Sequence, residues 1–377
     1  MTLSAVLALR LMGLFLILPV FMVLAAEMPG YTPQAAGIAV GVYGLTQASL
    51  QQPFGWLSDR WGRRPVLLLG LALFAAGGVV AALAETMSSL ILGRALQGCG
   101  AIAGVALALA ADLTRPHRRP LVMAFLGIGI GAAFLASVAL SVPLAMLLGL
   151  GGMFWLTAAF AIVGMGLFLT VPRPALSRAE PGDAAGFSSA PVLLLSFSVF
   201  LLHAVLTLLF VAFPPMLIEN FGIALADHWG LYLPSMIVSV LIVVLLLRRV
   251  GANLSEQHVL PWSFFALAAA MALLPFGLRW AGLAALMILY FVGFNLLEAA
   301  MPSLLSRITG SRGRGQHLGV YSTFQFLGAF IGGVAGGWLL GGYGSASALI
   351  SAGVVCLAWG TILMFFGQRI FLTRAAG

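Results

Sequence analysis

The chain has 377 residues, of which 62% are hydrophobic and only 7% are charged, and its mean hydropathy is +1.11. An ordinary soluble domain carries about 25% charged residues, so this composition excludes a water-soluble globular protein and indicates a polytopic membrane protein. All 18 positively charged residues are Arg, which excludes a phosphate-binding GxxxxGK loop and a lysine Schiff base.

Twelve apolar runs follow one another, each close to the length of about 20 residues that crosses a bilayer. The predicted spans are 5–26, 34–55, 65–84, 88–112, 120–147, 152–171, 191–214, 228–248, 258–278, 282–304, 318–341 and 346–368. Residues 172–190 are rich in Pro, Gly and Ser, which is typical of a flexible linker. The sequence therefore predicts an all-α integral membrane protein with twelve transmembrane helices in two six-helix bundles, residues 1–171 and 191–377.

The distribution of Arg predicts the orientation, because cytoplasmic loops collect positive charge. Fifteen of the 18 Arg lie in the connections after even-numbered spans and in the C-terminal tail. The opposite side has Arg279 and the acids Glu27, Glu85, Glu219 and Asp227. We therefore expect a multi-pass protein of the cell inner membrane with both termini in the cytoplasm. The positive charge follows this topology, and no nucleic-acid partner is expected.

Two motifs resemble those of a known family. The connection between spans 2 and 3, residues 55–65, has the sequence GWLSDRWGRRP, and span 4 contains RALQGCGA at residues 94–101. They resemble the GxLxDxxGRR/K loop and the RxxQGxGA element of the major facilitator superfamily. With LRLMG at residues 9–13, FNLLE at 294–298 and GVYSTFQFLG at 319–328, the chain looks most like the YajR-type transporters of the drug:proton antiporter branch.

This resemblance implies a secondary transporter that alternates access to a central site by rocking its two bundles, driven by protons. The composition of the chain favours an amphipathic substrate, either a drug-like compound or a metabolite, which the protein would export. The antiporter branch typically has Gly-Pro in span 5, whereas Pro143 follows Val142 here, so uptake by proton symport is the alternative. A membrane enzyme would need convergent catalytic groups, and the sequence offers only scattered ones. We expect no cofactor, no metal site and no catalysis, and a functional monomer, because each chain contains both halves of its cavity.

The loop motif predicts a cytoplasmic gate. Gly55 lacks a side chain, so span 2 can approach a helix of the other half closely. Asp59 could then face the N-terminal end of span 11, where the helix dipole favours an anion. Arg63 is within reach of Asp59, and Asp112 ends span 4 on the same side, so these three would latch the cytoplasmic side shut. The alternative is that they are solvated charges that set topology, which is the main role expected of Arg60 and Arg64. The gate residues are Gly55, Asp59, Gly62, Arg63, Arg64 and Asp112.

Ionisable groups at membrane depth are costly and therefore functional candidates. Four lie inside spans that line the central cavity in the resembling family: Arg10, Arg94, His203 and Glu298. Neutral candidates for the substrate cavity are Gln47, Gln97, Asn295 and Gln325, which could instead link helices. Gln47 and Gln325 end a repeated GVYxxxQ pattern, at residues 41–47 and 319–325. The alternative for Arg94 is a structural role in which it caps neighbouring carbonyls. The alternative for His203 is a core residue whose hydrogen bonds are satisfied within the protein.

Glu298 and Arg10 are predicted to form the proton-responsive site. Each lies about five residues from the cytoplasmic end of its span, so both lie at a depth of about 8 Å at a rise of about 1.5 Å per residue. Protonation of Glu298 would release Arg10, and deprotonation would restore the pair. A static ion pair that orients spans 1 and 10 is the alternative, and His203 is the next candidate for proton coupling.

Overall fold

The computed structural model describes residues 2–115, 118–171, 190–250, 256–277, 279–309 and 314–367, and within these ranges it contains helices and no strand. The first half consists of α1 (Thr2–Phe15), α2 (Phe21–Ala25), α3 (Pro33–Trp61), α4 (Arg63–Ala82), α5 (Met87–Gly98), α6 (Ala103–Asp112) and α7 (Arg119–Leu169). The second half consists of α8 (Ala190–Glu219), α9 (Trp229–Val250), α10 (Glu256–Leu273), α11 (Trp280–Thr309) and α12 (Arg314–Ile362). The predicted linker lies outside the described residues except for Ala190, which begins α8.

These helices account for twelve membrane spans. Eight described segments are long and apolar enough to cross a membrane. Two of them, α7 and α12, contain two spans each and turn at Gly149 and Gly344. The more polar α3 brings this count to eleven. Helices α1 and α2, separated by a turn that contains Pro19, together form one more span and bring it to twelve. The prediction of an all-α protein with twelve transmembrane helices is confirmed.

The ends of the helices define two faces. On one face Arg63 contacts Asp112, and Arg64 donates to the carbonyl of Val171, so the starts of α4 and the ends of α6 and α7 lie together. On the other face the amide of Met87 donates to the carbonyl of Pro29. We call the first the arginine-rich face and the second, with residues 26–32, 83–86 and 220–228, the arginine-poor face.

Helices α3 and α12 join the two halves. A Cβ atom added to Gly37 would overlap the backbone of Gly333 and Gly337, and one added to Gly41 would lie 2.7 Å from the carbonyl oxygen of Phe330. Small residues allow such close backbone approach, which drives packing between membrane helices. The halves are therefore closed against each other on the arginine-poor face.

Toward the arginine-rich face the two helices separate. Gln52 still reaches Gly319, but a Cβ atom at Gly55 would meet no atom of the described residues within 4 Å. The close approach predicted at Gly55 is therefore not made in this conformation. A different cleft, of about 520 Å³, lies on this side within the first half and is lined by α1, α6 and α7.

The motif predicted as a loop is mostly helical. Residues 55–61 form the last turns of α3, and α4 begins at Arg63. Gly62 alone makes the turn between them, with φ of +90° and ψ of 156°. This region of backbone space is essentially restricted to glycine, which explains why the motif has a glycine at position 62.

Candidate functional site

A polar cluster in the second half joins three helices at membrane depth. His203 on α8 is 8% exposed, and its Nε2 atom lies 2.8 Å from Nε2 of Gln325 on α12 and 3.5 Å from Oε1 of Glu298 on α11. Nδ1 of His203 lies 3.1 Å from the carbonyl oxygen of Val199. A carbonyl only accepts, so Nδ1 carries the proton and the amide of Gln325 donates to Nε2. One further proton, on Nε2 or on Glu298, would allow a hydrogen bond between these two groups in place of the donation from Gln325.

The first half holds a second cluster around Arg10, which is 1% exposed. Its Nη2 atom donates to the hydroxyl of Tyr43 at 3.0 Å, to Oε1 of Gln47 at 2.9 Å and to the carbonyl oxygen of Gly100 at 2.8 Å. Tyr43 and Gln47 belong to the first GVYxxxQ repeat, and Gln325 ends the second. In each half, the glutamine of the repeat contacts a basic residue of the half's first span.

The predicted pair of Arg10 and Glu298 is wrong for this conformation. The side chain of Arg10 is held within its own half, by α3 and by the segment between α5 and α6. Glu298 instead lies beside His203. Counting residues from the membrane surface gives the depth of a side chain but not the side of the helix from which it projects, so an equal depth did not bring the two groups together.

Arg94 makes the contacts expected of a structural residue, the alternative interpretation, and its contact with a substrate stays a prediction. It is 1% exposed, and it donates from Nε to the carbonyl oxygen of Ala39 at 3.3 Å and from Nη1 to Oε1 of Gln97 at 2.9 Å. Its guanidinium lies 5.0 Å from the ring centroid of Tyr43. Gln97 in turn donates to Thr157 on α7. In this conformation Arg94 links α5 to α3, and Gln97 links α5 to α7.

Asn295 donates to the hydroxyl of Ser239 at 3.1 Å and so joins α11 to α9. Each of the four neutral candidates thus has a partner on another helix. Their contact with a substrate stays a prediction.

The charges predicted to form a latch do lie together. Arg63 contacts Asp59 at 2.5 Å, Asp112 at 3.2 Å and the hydroxyl of Ser58 at 2.6 Å. All of these residues belong to the first half, and the cluster exists although the halves are separated at Gly55. The latching role stays a prediction. Arg64 does more than set topology, because it donates to the last carbonyls of α7, at Leu169 and Val171.

Aromatic side chains that the sequence did not single out bridge the halves. The ring of Phe134 on α7 lies 4.8 Å from that of Phe15 and 5.9 Å from that of Phe294 on α11. Phe294 lies 6.2 Å from the ring of His203. The chain contains 26 Phe, so phenylalanine by itself is no sequence signal that marks these residues. They place an apolar contact between the halves directly beside the His203 cluster.

Two six-helix bundles that close on one face, with polar clusters held at membrane depth, define a polytopic membrane transporter. The family model of the Major Facilitator Superfamily matches residues 3–294, and the chain belongs to this superfamily.

Relatives and solved structures agree with this assignment. The chain is 38% identical over 370 residues to the inner membrane transport protein YajR of Escherichia coli (strain K12), which covers 96% of this chain and 81% of the relative. It is 25% identical over 347 residues to multidrug resistance protein 1 of Bacillus subtilis (strain 168), with coverage of 87% and 86%. Its fold is similar to that of a D-xylose-proton symporter, with a TM-score of 0.77, 18% identity and 97% of each chain covered.

Proposed function

We propose that the protein is a proton-coupled transporter that exports amphipathic drug-like compounds or metabolites, with His203 and Glu298 as the coupling groups. The observation that carries this proposal is the contact of 3.5 Å between them. Glu298 is the only acid in the middle of a described helix. A carboxylate next to an imidazole at membrane depth offers two sites for one proton, and such groups are typical of proton relays in transporters.

The position of the pair supports coupling to a conformational change. Glu298, His203 and Gln325 lie on three different helices, so a proton that strengthens or weakens their contacts changes how α8, α11 and α12 pack. Phe294 touches both this cluster and Phe134 of the other half. A change in protonation would therefore reach the contact between the halves through one residue.

The proposal includes an orientation and a location. The arginine-rich face lies in the cytoplasm, with both termini, by the positive-inside rule. The relative in Escherichia coli is an inner membrane protein, which supports an inner membrane location here. The conformation, closed on the arginine-poor face, is then inward-facing. The protein works as a monomer, because one chain supplies both halves.

The test is transport by purified protein in liposomes with an imposed pH gradient, against a panel of amphipathic cations, anions and neutral compounds. Glu298→Gln imitates the protonated carboxyl, so gradient-driven transport should be lost while substrate binding survives and loses its pH dependence. Glu85→Gln is the matched control, because Glu85 is an exposed acid outside the spans, and it should transport normally.

Two outcomes would contradict the proposal. If Glu298→Gln pumps with the wild-type pH profile, Glu298 is not a coupling group. If wild-type protein moves its substrate in the same direction as protons, and follows the gradient when it is reversed, the protein is a symporter.

A further inference from the structure

The fourth span is discontinuous at membrane depth. Helix α5 ends at Gly98 and α6 begins at Ala103, so residues 99–102 are not helical. The break is held by close packing, since a Cβ atom at Gly98 would overlap the backbone of Tyr43, and one at Gly100 would overlap the carbonyl of Gly70. In transporters, broken helices of this kind aim the positive end of a half-helix at anionic groups of the substrate.

The N-terminal end of α6 is free to bind such a group. Ile102, at its N-cap position, gives no side-chain hydrogen bond, and the amides of Ala103, Gly104 and Val105 have no backbone partner. Gly104 is exposed, and a Cβ atom there would meet no atom of the described residues within 4 Å. The helix end therefore has three unpaired amides, and there is open space beside one of them, at Gly104.

Unpaired donors on buried side chains occur next to the same break. Arg10 donates to the carbonyl of Gly100 within it, yet its Nε atom has no partner. Gln47, which is 0% exposed, accepts from Arg10 and has an unpaired Nε2 amide. Buried N–H groups are normally paired, and leaving one unpaired is unfavourable. Both unpaired groups are donors, so an acceptor would satisfy them.

The balance of buried charges indicates the sign of the ligand's charge. Arg10 and Arg94 are both buried, and among the described residues neither forms an ion pair. An arginine does not lose its proton in a protein, and an uncompensated buried charge is costly. Glu298, the acid at membrane depth, lies in the other half beside His203.

We propose that the N-terminal end of α6, with Arg10 and Gln47, binds the anionic group of the transported substrate, and that the protein therefore prefers amphipathic organic anions, carboxylates above all, to cations. This assignment rests on the proposed transport function, whose substrate class it names. The amides of α6 and the guanidinium of Arg10 supply the donors, and the open space at Gly104 admits the ligand.

Equilibrium binding to the full-length protein in detergent, without a pH gradient, tests this site. The probes are dansylglycine, its methyl ester as the uncharged analogue, and sodium chloride. Wild-type protein should bind the carboxylate about tenfold more tightly than the ester, the size expected of one charge-assisted contact. Equal binding of acid and ester would overturn the proposal. So would full displacement of dansylglycine by equimolar chloride, which would indicate a halide site.

Gly104→Asp places a carboxylate in the site itself. An acid in the first turn of a helix is favourable, and the position has room, so the variant should fold and bind dansylglycine about tenfold more weakly. Gly104→Asn is the matched control of equal size and should retain most of the binding. If Gly104→Asp binds the carboxylate as wild-type protein does, the proposal fails.

A failure of the anion site can be distinguished from a failure of proton coupling. Glu298→Gln should bind dansylglycine normally although it does not pump. Selective binding of the acid in a protein whose transport ignores the pH gradient would refute coupling alone. Gradient-driven transport of cations by a protein that does not distinguish the acid from the ester would refute the anion site alone.

Discussion

At the scale of single residues, the two buried arginines of the first half differ in what they leave unpaired. Arg94 donates to Ala39 and Gln97 and stacks on Tyr43. Arg10 also donates hydrogen bonds, but its Nε atom, beside the break in the fourth span, has no partner. Because of this difference we expect Arg94 to act mainly in stability, whereas Arg10 belongs to the proposed ligand site.

Arg94→Met should lower the free energy of unfolding by about 2 kcal/mol, because it leaves the buried oxygen of Gln97 without a donor. Arg94→Lys should not restore the stability, since an ammonium cannot reproduce the planar fork of the guanidinium. Thermal unfolding in detergent measures both. Arg60→Met is the control, because Arg60 stacks on the exposed Trp56, and it should change little. Equal unfolding temperatures for Arg94→Met and wild type would refute the structural role.

Asp59→Asn should alter conformation more than stability. The side chain of Asp59 is 58% exposed, and exposed ion pairs contribute about 0–1 kcal/mol. If Asp59 docks on the N-terminal end of α12 when the arginine-rich face closes, its neutralisation disfavours the closed form. Transport should fall, and a cysteine that replaces Ala108 on α6, in a Cys99→Ala, Cys356→Ala background, should react faster from the cytoplasmic side. Unchanged labelling and transport would refute the latch, and Glu85→Gln is the control.

The sequence identified the ionisable residues of the candidate site but not all of their partners. Asp59, Arg63 and Asp112 could be grouped correctly because Asp59 and Arg63 are four residues apart and Asp112 ends a span on the same face. Arg10 and Glu298 could not be paired correctly, since their contacts depend on the rotation of α1 and α11. That rotation is fixed by side-chain packing with neighbouring helices, which no local pattern reveals.

At the scale of helices, two glycines allow a pair of spans to turn without a loop. Gly149 has φ of 63° and ψ of −176°, and Gly344 has φ of 81° and ψ of 170°. These values lie in a region essentially restricted to glycine. The two turns occupy corresponding places, between the fifth and sixth spans of each half.

Gly149→Ala should destabilise the protein by about 1–3 kcal/mol, because alanine is strained in this backbone conformation. Gly166→Ala, at an exposed helical position where a Cβ atom meets open space, should be neutral or stabilise by up to about 1 kcal/mol. Chemical or thermal unfolding of the two variants in detergent compares them directly. Equal effects of the two substitutions would show that the conformation of Gly149 is not strained for alanine.

The fold was more predictable than the site. Apolar runs set the number of spans, since a bilayer requires about 20 apolar residues per crossing. Local helical structure beyond the apolar run escaped the prediction, as in residues 55–61, which extend α3 past the membrane. The break after Gly98 also escaped it, because the packing of Gly98 and Gly100 against neighbouring backbones is a long-range property.

At the scale of the whole molecule, the contact between α3 and α12 distinguishes the two ends of the transport pathway. The backbones touch at Gly37, Gly41 and Gly333 near the arginine-poor face, whereas Gly55 near the other face has open space. In alternating access, the end at which α3 and α12 touch becomes open and the end at which they are apart becomes closed. A bulky side chain at either end should therefore favour the state in which that end is open.

Gly37→Leu is the sharpest test of this arrangement. Its Cβ atom would overlap the backbone of Gly333 and Gly337, and overpacking of this kind costs about 1–3 kcal/mol. The closed arginine-poor face should open, which shifts the population about tenfold toward the state that is open on that face. Spin labels at Glu85 and Asn220 should move apart, and labels at Trp61 and Thr309 on the arginine-rich face should approach each other.

Gly55→Leu should act in the opposite direction, because its side chain has room in the conformation described here and must be accommodated when α3 and α12 close around it. The labels at Trp61 and Thr309 should then stay far apart even when a substrate or a pH gradient brings them together in wild-type protein. Gly166→Leu, at an exposed position on α7, should leave both distances unchanged. If Gly37→Leu and Gly55→Leu gave the same distance distributions as wild type, the contact between α3 and α12 would not control access.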